Sequence, residues 1–249
     1  ELRFAGNYFT RNGRAMFLFG SDETAYVYLT PHENPLTWSR DLLAARDIGM
    51  DIYENLQYSN PGHEMLEADW RNFRAMGQLI QKHTMVFMPG MLIVHNVAAG
   101  DAALAEQARQ CQGYAENLAK MPGLLYYING DYGNNPNEQP EEAAKLWNHW
   151  LQERYGTTDN LRAAWGADAA IAELGKLAYP PPSSDRWDDV PALDKSRFLL
   201  WLTERWNKAH VAAVRTHDTG HPIASEYYAY PFSGIDMIST IDGQDVANV

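Results

Sequence analysis

The sequence predicts an α/β fold of the (β/α)8 barrel type, apparently incomplete, with about six strand-helix units visible. Short apolar runs alternate with segments of helical periodicity, and polar residues follow the runs. A doubly wound sheet that binds a dinucleotide normally has spaced glycines after its first strand, whereas Gly20 is followed here by Ser21, Asp22 and Glu23. The sequence therefore favours the barrel.

The strands are predicted from continuous apolar runs, which are typical of a parallel sheet covered by helices. These runs span residues 15–20, 50–56, 85–94, 124–128, 222–228 and 235–241. Gly20 closes the first run, which we expect to be a buried strand, and Pro89-Gly90 interrupts the third.

The helices are predicted from apolar residues three and four apart and from their terminal residues. They span residues 39–48 (closed by Gly49), 67–82, 101–120 (capped by Asp101), 141–155, 159–165 and 194–216, and residues 179–184 form a stiff exposed connection. The alternation of strands and helices becomes irregular after Asp131 and returns near Pro222. We therefore expect a single barrel domain over residues 1–249 with an insertion at about 134–193.

Composition excludes several classes of protein. The chain has 249 residues, with 20 Lys and Arg against 32 Asp and Glu, so its formal net charge of -12 excludes a nucleic-acid binder that neutralises phosphates. Its apolar runs fall short of the roughly 20 residues that span a bilayer, and we expect no membrane partner. The single cysteine, Cys111, excludes an internal disulfide and is expected in the core. The compartment stays open, with a secreted or periplasmic location preferred.

Polar residues occur where each predicted strand ends, and a barrel carries its chemistry at those carboxyl ends. The candidates are Asp22, Glu23, Glu54, His95, Asn129, Asp131 and Glu226, with the ring of Tyr228 as a platform for a sugar face. Taken alone, each of these residues fits a solvated loop position or a helix N-cap equally well. Their succession along the chain predicts one polar rim.

Two segments resemble the clan A glycoside hydrolases, which are retaining enzymes with a (β/α)8 barrel, and most closely the family 42 β-galactosidase type. Residues 148–157, which read NHWLQERYGT, and the closing Ala164-Trp165-Gly166 resemble that family's helix after the fourth strand. Residues 122–133 resemble the fourth strand itself, and residues 12–20 resemble the lead into the first strand.

The resemblance implies a role for Asp131. In the family the fourth strand ends in Asn-Glu-Tyr-Gly, whose Glu is the general acid/base, whereas this chain reads Gly130-Asp131-Tyr132-Gly133. Asp131 thus occupies the acid/base position with a side chain one methylene shorter. The family's nucleophile is a Glu at the end of the seventh strand, which the six visible strands do not reach. We therefore expect the chain to be part of a larger polypeptide, or to be completed by another chain or a homo-oligomer.

The predicted function is hydrolysis of a β-linked glycoside, a galactoside or related glycan, with retention through two carboxylates. Asp131 is the catalytic candidate, and the other rim residues are substrate contacts. We expect a carbohydrate partner, no cofactor and no metal. Two alternatives stay open: a carbohydrate-binding barrel that has lost hydrolysis, and a metal-dependent barrel hydrolase that uses the acidic rim.

Overall fold

Six parallel strands and the helices between them form the main layer of the protein, for which we used a computed structural model. The structure describes residues 2–21, 35–58, 65–92, 99–129, 140–166, 173–180, 189–226 and 244–248. Three short strands come first: β1 (Leu2–Ala5), β2 (Tyr8–Arg11) and β3 (Arg14–Met16). The parallel strands are β4 (Gly20–Ser21), β5 (Ile52–Tyr58), β6 (Val86–Leu92), β7 (Tyr126–Asn129), β8 (Ile223–Glu226) and β9 (Val246–Asn248).

Six helices lie within the described residues: α1 (Pro35–Asp47), α2 (Glu67–Lys82), α3 (Asp101–Leu118), α4 (Pro140–Tyr155), α5 (Thr158–Trp165) and α6 (Val190–Arg215). The parallel strands follow one another in chain order across the sheet, from β4 to β9. A doubly wound sheet reverses its strand order at one point, and this sheet does not. The order is that of a barrel wall, which confirms the predicted fold class.

The two faces of the sheet pack against different layers. One face carries Phe87, Tyr126 and Ile223 into the core against the helices, which supply residues such as Phe73 and Trp147. The other face contributes to a second cluster, made of Leu2, Val86, Met88, Leu125, Tyr127 and Ala224. Because the described helices all pack on the first face, the second is the concave, inner face of the barrel wall.

The antiparallel sheet β1–β2–β3 closes the amino end of this wall. Its Leu2 belongs to the inner cluster, and the Leu2 N–H donates to the carbonyl of Pro122, which precedes β7, at 3.3 Å. The Arg11 guanidinium likewise donates to the carbonyl of Thr84, just before β6. The amino end is therefore filled, so the carboxyl end is the place for a site.

The first apolar run is not the buried strand that the sequence predicts. Residues 14–16 belong to the antiparallel sheet and residues 20–21 to the parallel sheet, while Phe17 and Phe19 are 84% and 50% exposed. The signal for the missed hairpin is Asn12-Gly13, whose φ angles of 51° and 78° are those of a tight two-residue turn. The apolar residues are contiguous, so their pattern favours a single element where the structure has two.

The later strands also differ from the prediction. Strand β6 continues through Pro89 and Gly90, which pair with Asn55 and Leu56, because one missing N–H removes a single ladder bond and leaves the flanking pairs in place. The strand that pairs with β8 is Val246–Asn248, and the predicted strand at 235–241 lies outside the described residues.

The helix predictions were close, with two local errors. Asp101 is not the N-cap of α3, which is Gly100, and its carboxylate instead accepts from Arg205 at 2.7 Å. Tyr179 is buried against Trp147 and Phe198 rather than exposed in a connection. Cys111 is buried and has a free thiol, as predicted. Among the described helices, none combines the length and the apolar composition that crossing a bilayer requires.

Candidate active site

A row of polar residues crosses the carboxyl ends of three neighbouring strands. Asn129, the last residue of β7, is the register partner of Glu226, the last residue of β8, and Glu226 is in turn the partner of Asn248 in β9. Neighbouring strands lie about 4.8 Å apart, so the backbone brings these three positions side by side. The prediction that Asn129 and Glu226 end adjacent strands agrees with this register.

Alternation along each strand assigns the row to one face of the sheet. Tyr127, Ala224 and Val246 each lie two residues before a member of the row and all belong to, or pack against, the inner cluster. Residues two apart in a strand share a face. Positions 129, 226 and 248 are therefore on the concave face at the carboxyl end, where barrels bind their substrates.

Glu54 is on the same face but deeper in the wall. It is 7% exposed, it pairs with Met88 of the inner cluster, and it lies two residues after Ile52, which packs against that cluster. The sequence places it at a strand end, which is wrong: β5 continues for four more residues to Tyr58. The polar residues Asn55 and Gln57 hid this continuation, because the apolar run stops at Leu56.

Five of the predicted rim residues, and the side chains of two more, lie outside the described part of the structure. Asp22, Glu23, His95, Asp131 and Tyr228 lie outside the described residues, and for Asn129 and Glu226 the backbone alone is described. Their chemical roles stay predictions. Within the described ranges, no group of three His, Cys, Asp or Glu residues is arranged to hold a metal ion.

The sequence pattern does not reveal Asn248 as a position of this row. Its strand is only three residues long and follows Gln244 and Asp245, so neither length nor alternation marked it. Two hydrogen bonds fix the start of this strand beside β8. The Asp245 N–H donates to the Ile223 carbonyl at 3.0 Å, and the Ile223 N–H donates to the Asp245 carboxylate at 2.8 Å.

A second polar cluster lies at the opposite end of the sheet. The buried Asp218 accepts hydrogen bonds from the Tyr126 hydroxyl at 2.8 Å, from the His221 ring Nδ1 at 2.7 Å and from the backbone N–H groups of Gly220 and His221, each at 3.0 Å. Burial alone raises the pKa of Asp218, but the hydrogen bonds from His221, Gly220 and Tyr126 outweigh it and hold that pKa below its ordinary value.

The position of this cluster indicates what it does. Tyr126 begins β7 and His221 precedes β8, so the cluster is at the amino end, which the antiparallel sheet closes. Burial, followed by the charge of Asp218, raises the pKa of Tyr126 far above its usual range and keeps the phenol protonated as a donor. Polar clusters at the amino end of a barrel serve stability rather than catalysis.

Comparison with known proteins identified a family match. The model of the glycoside hydrolase family 42 β-galactosidases matches residues 96–249. A β-galactosidase from Arthrobacter sp. is 30% identical over 106 residues, which are 41% of this chain and 15% of that protein. The β-galactosidase LacZ of Lactobacillus acidophilus is 22% identical over 134 residues, or 49% of this chain and 20% of that protein.

Several solved structures with a similar fold are β-galactosidases. The polyextremophilic β-galactosidase of the haloarchaeon Halorubrum lacusprofundi superimposes with a TM-score of 0.70 at 17% identity, covering 87% of this chain and 38% of that one. The cold-adapted enzyme of Rahnella sp. R3 gives a TM-score of 0.71 at 15% identity, covering 92% and 38%. At this identity the likeness shows the fold, and this chain spans about two fifths of those proteins.

Proposed function

The chain belongs to the β-galactosidase family 42 of the glycoside hydrolases, and from that premise we propose that it hydrolyses a β-linked galactoside or related glycan with retention. The chain spans less than half of the length of these relatives. Asp131 is the proposed acid/base, and the row at positions 129 and 226 is proposed to contact the sugar.

The proposed chemistry uses two carboxyl groups. The protonated acid at Asp131 gives its proton to the glycosidic oxygen, while an ionised carboxylate attacks the anomeric carbon and forms a glycosyl ester. The leaving group departs as an alcohol. Asp131, now ionised, then takes a proton from water, which hydrolyses the ester and restores both groups. Glu226, which ends the fifth parallel strand, is proposed as a substrate contact rather than as the attacking carboxylate.

One observation carries the proposal. Asn129 and Glu226 are register partners at the carboxyl end of the concave face, inside the region that the family model matches. Polar groups that converge there can hold sugar hydroxyls next to the segment that contains Asp131, which follows Asn129 by two residues. The amino end cannot serve in the same way because β1–β3 fill it.

The test is turnover of a panel of nitrophenyl glycosides by the full chain, before and after Asp131→Asn. We expect β-galactoside hydrolysis, and we expect the substitution to lower kcat/KM for an alkyl β-galactoside by about 100-fold or more. The loss should be smaller for a dinitrophenyl β-galactoside, because a good leaving group needs little protonation. Equal losses on both substrates would contradict the acid role, and no turnover of any β-glycoside would contradict the proposed function.

The family match favours a glycosidase over the two alternatives, a non-hydrolytic carbohydrate-binding barrel and a metal-dependent hydrolase. Activity that EDTA abolishes would reverse that preference. The proposed partner is a carbohydrate. We also propose that the sheet is completed at its ends, either by further strand-helix units or by a second copy of the chain, because β4 and β9 are its outermost described strands.

A further inference from the structure

The row at positions 129, 226 and 248 depends on two very short strands. Strand β8 has four residues and β9 has three, and they pair through three register pairs, from Ala224 with Val246 to Glu226 with Asn248. A shift of one residue in that register would move position 248 from the concave face of the sheet to the opposite face. Because the pairs are so few, the register of β9 depends on contacts outside the two strands.

Asp245 supplies such contacts immediately before β9. Its carboxylate accepts a hydrogen bond from the Ile223 N–H at 2.8 Å, and its own N–H donates to the Ile223 carbonyl at 3.0 Å. Ile223 is fully buried and is the register partner of Tyr126 in β7. Because both polar groups of the Ile223 backbone are bonded to Asp245, the chain that enters β9 is fixed at one position beside β8.

Arg215, the last residue of α6, holds the Asp245 carboxylate in that position. One terminal nitrogen of its guanidinium donates to this carboxylate at 2.5 Å. The other donates to the carbonyls of His221 at 2.7 Å and Asp218 at 3.1 Å, which belong to the turn between α6 and β8. A guanidinium is planar with its donors in a fixed arrangement. One side chain therefore fixes the starts of β8 and β9 relative to the end of α6.

Strand β7 begins in the same network. The Tyr126 N–H donates to the Pro222 carbonyl at 3.0 Å, and the Tyr126 hydroxyl donates to Asp218 at 2.8 Å. Each member of the row lies three residues after a member of this network: Asn129 after Tyr126, Glu226 after Ile223, and Asn248 after Asp245. Three residues of an extended strand span about 10 Å. A displacement at the network is therefore carried directly along the strands to the row.

We propose that Arg215 and Asp245 are positioning residues for the candidate active site. Their ion pair sets the register of β9 against β8, and this register places Asn248 beside Glu226 as a further contact for the sugar. Both residues act through position 248 from the amino end of the sheet, in addition to any contribution to stability. The inference rests on the proposed function.

The test is a double-mutant cycle in the full chain, with 4-nitrophenyl β-galactoside as the substrate. We expect Asp245→Ala and Asn248→Ala each to raise KM about fivefold or more and to change kcat less than about twofold, because a contact that holds the sugar both before and during the reaction affects binding rather than turnover. The double variant should have the KM of a single variant, because Asp245 acts on the sugar only through position 248.

Hydrogen exchange measures the register contacts independently of activity. We expect Asp245→Ala and Arg215→Ala each to speed amide exchange about tenfold or more in a peptic peptide that covers residues 244–249, while Asn248→Ala leaves that exchange within about twofold. The matched control is Arg74→Ala, because Arg74 is also partly buried and joins α2 to α3 through a hydrogen bond of 2.6 Å. It should change neither KM nor this exchange.

The outcomes separate the two proposals. If neither substitution raises KM, if their effects multiply in the double variant, or if Asp245→Ala leaves the exchange unchanged, the inference is wrong. An unaltered chain that hydrolyses no β-galactoside would overturn the proposed function and, with it, the role of position 248, whatever the exchange shows. Should Arg215→Ala not fold, Asp245→Ala decides the matter, because that side chain is 38% exposed.

Discussion

Asp218 makes the stability of the folded state depend on pH. It lies at the amino end of the barrel, away from the candidate site. Its carboxylate collects side-chain and backbone donors from Tyr126, His221 and Gly220, which hold its pKa below the ordinary 3.8 in spite of burial. A carboxyl whose pKa falls on folding stabilises the folded state above its ordinary pKa, and that contribution is lost as the pH falls through the lowered value.

We therefore expect Asp218→Asn to reduce the free energy of unfolding by about 1–3 kcal/mol at pH 5, because an amide replaces a charged acceptor of several hydrogen bonds. The difference from the unaltered protein should shrink between pH 5 and pH 3, because below 3.8 the unfolded carboxyl takes up a proton that folding then has to remove. Urea unfolding at the two pH values measures this. A difference that stays constant would contradict the lowered pKa, and the exposed Asp47→Asn should change stability by less than about 0.5 kcal/mol at either pH.

For single residues, the sequence predicted the position along the strand correctly in some cases and wrongly in others. The polar rim at Asn129 and Glu226 followed from the rule that barrels place polar groups at strand ends, and the register pairs those two positions. Glu54 was placed at a strand end because only the apolar part of β5 is visible as a pattern. The sequence does not show that Asp194 is buried, because Tyr155 and Trp165, which donate hydrogen bonds to its carboxylate, are 39 and 29 residues away in sequence.

The segment that resembles the family gains a physical explanation from the same contacts. Arg154, Tyr155 and Trp165 all lie within residues 147–165, and all three bind the Asp194 carboxylate. Trp147 and Trp150 form the aromatic packing beneath them. The described part of this motif therefore holds α4, α5 and α6 together, and we propose that residues around it, about 134–193, are an insertion in a single barrel domain.

Helix α2 illustrates how an element is fitted to the sheet. Its Gly77 is buried, and a Cβ there would lie 2.7 Å from the Phe87 ring and 2.8 Å from the Met121 sulfur. Gly inside a helix normally costs about 1 kcal/mol relative to Ala. Here the absence of a side chain lets α2 approach β6 closely, so packing outweighs helix propensity.

We expect Gly77→Ala to lower the free energy of unfolding by about 1–2 kcal/mol, because overpacking costs about 1–3 kcal/mol and the propensity gain offsets only part of it. The matched control on the same helix is Gln78→Ala, an exposed position where the change should stay within about 0.5 kcal/mol. Urea unfolding of both variants is the measurement. Stabilisation by Gly77→Ala would mean that the approach of α2 to β6 is looser than described.

Helices were predictable where the helical spacing of apolar residues continued over several turns and a residue such as glycine followed the last turn. The prediction for α2 matches at both ends, and α1 ends at Asp47, two residues before Gly49, whose φ of 90° is left-handed. Short strands offer too few residues for a period. Strand β9 and the hairpins at the N-terminus were missed for that reason, although Asn12-Gly13 was a usable turn signal.

The whole molecule is a curved wall with a filled amino end and polar residues at its carboxyl end. The antiparallel sheet packs Leu2, Phe9 and Met16 against the inner cluster, which removes the amino end from solvent. The row at positions 129, 226 and 248 lies at the opposite, carboxyl end of the concave face. Within the described residues, the filled amino end therefore leaves the carboxyl end for a ligand.

The molecule also has an exposed apolar surface near its first parallel strand. Phe17 and Phe19, which precede β4, are 84% and 50% exposed, and Ile48, which follows α1, is 67% exposed. Strand β4 is outermost among the described strands, and an outermost strand offers N–H and C=O groups to another chain. Apolar side chains beside such an edge favour association.

We therefore expect the double substitution Phe17→Ser and Phe19→Ser to weaken self-association of the chain, as measured by sedimentation velocity across a concentration series. The free energy of unfolding should change by less than about 1 kcal/mol, because both rings are already largely in water. Tyr8→Ser, at a 53% exposed position of the antiparallel sheet, is the control and should leave association unchanged. If the control weakened association as much as the double substitution, the first parallel strand would not be where the chains meet.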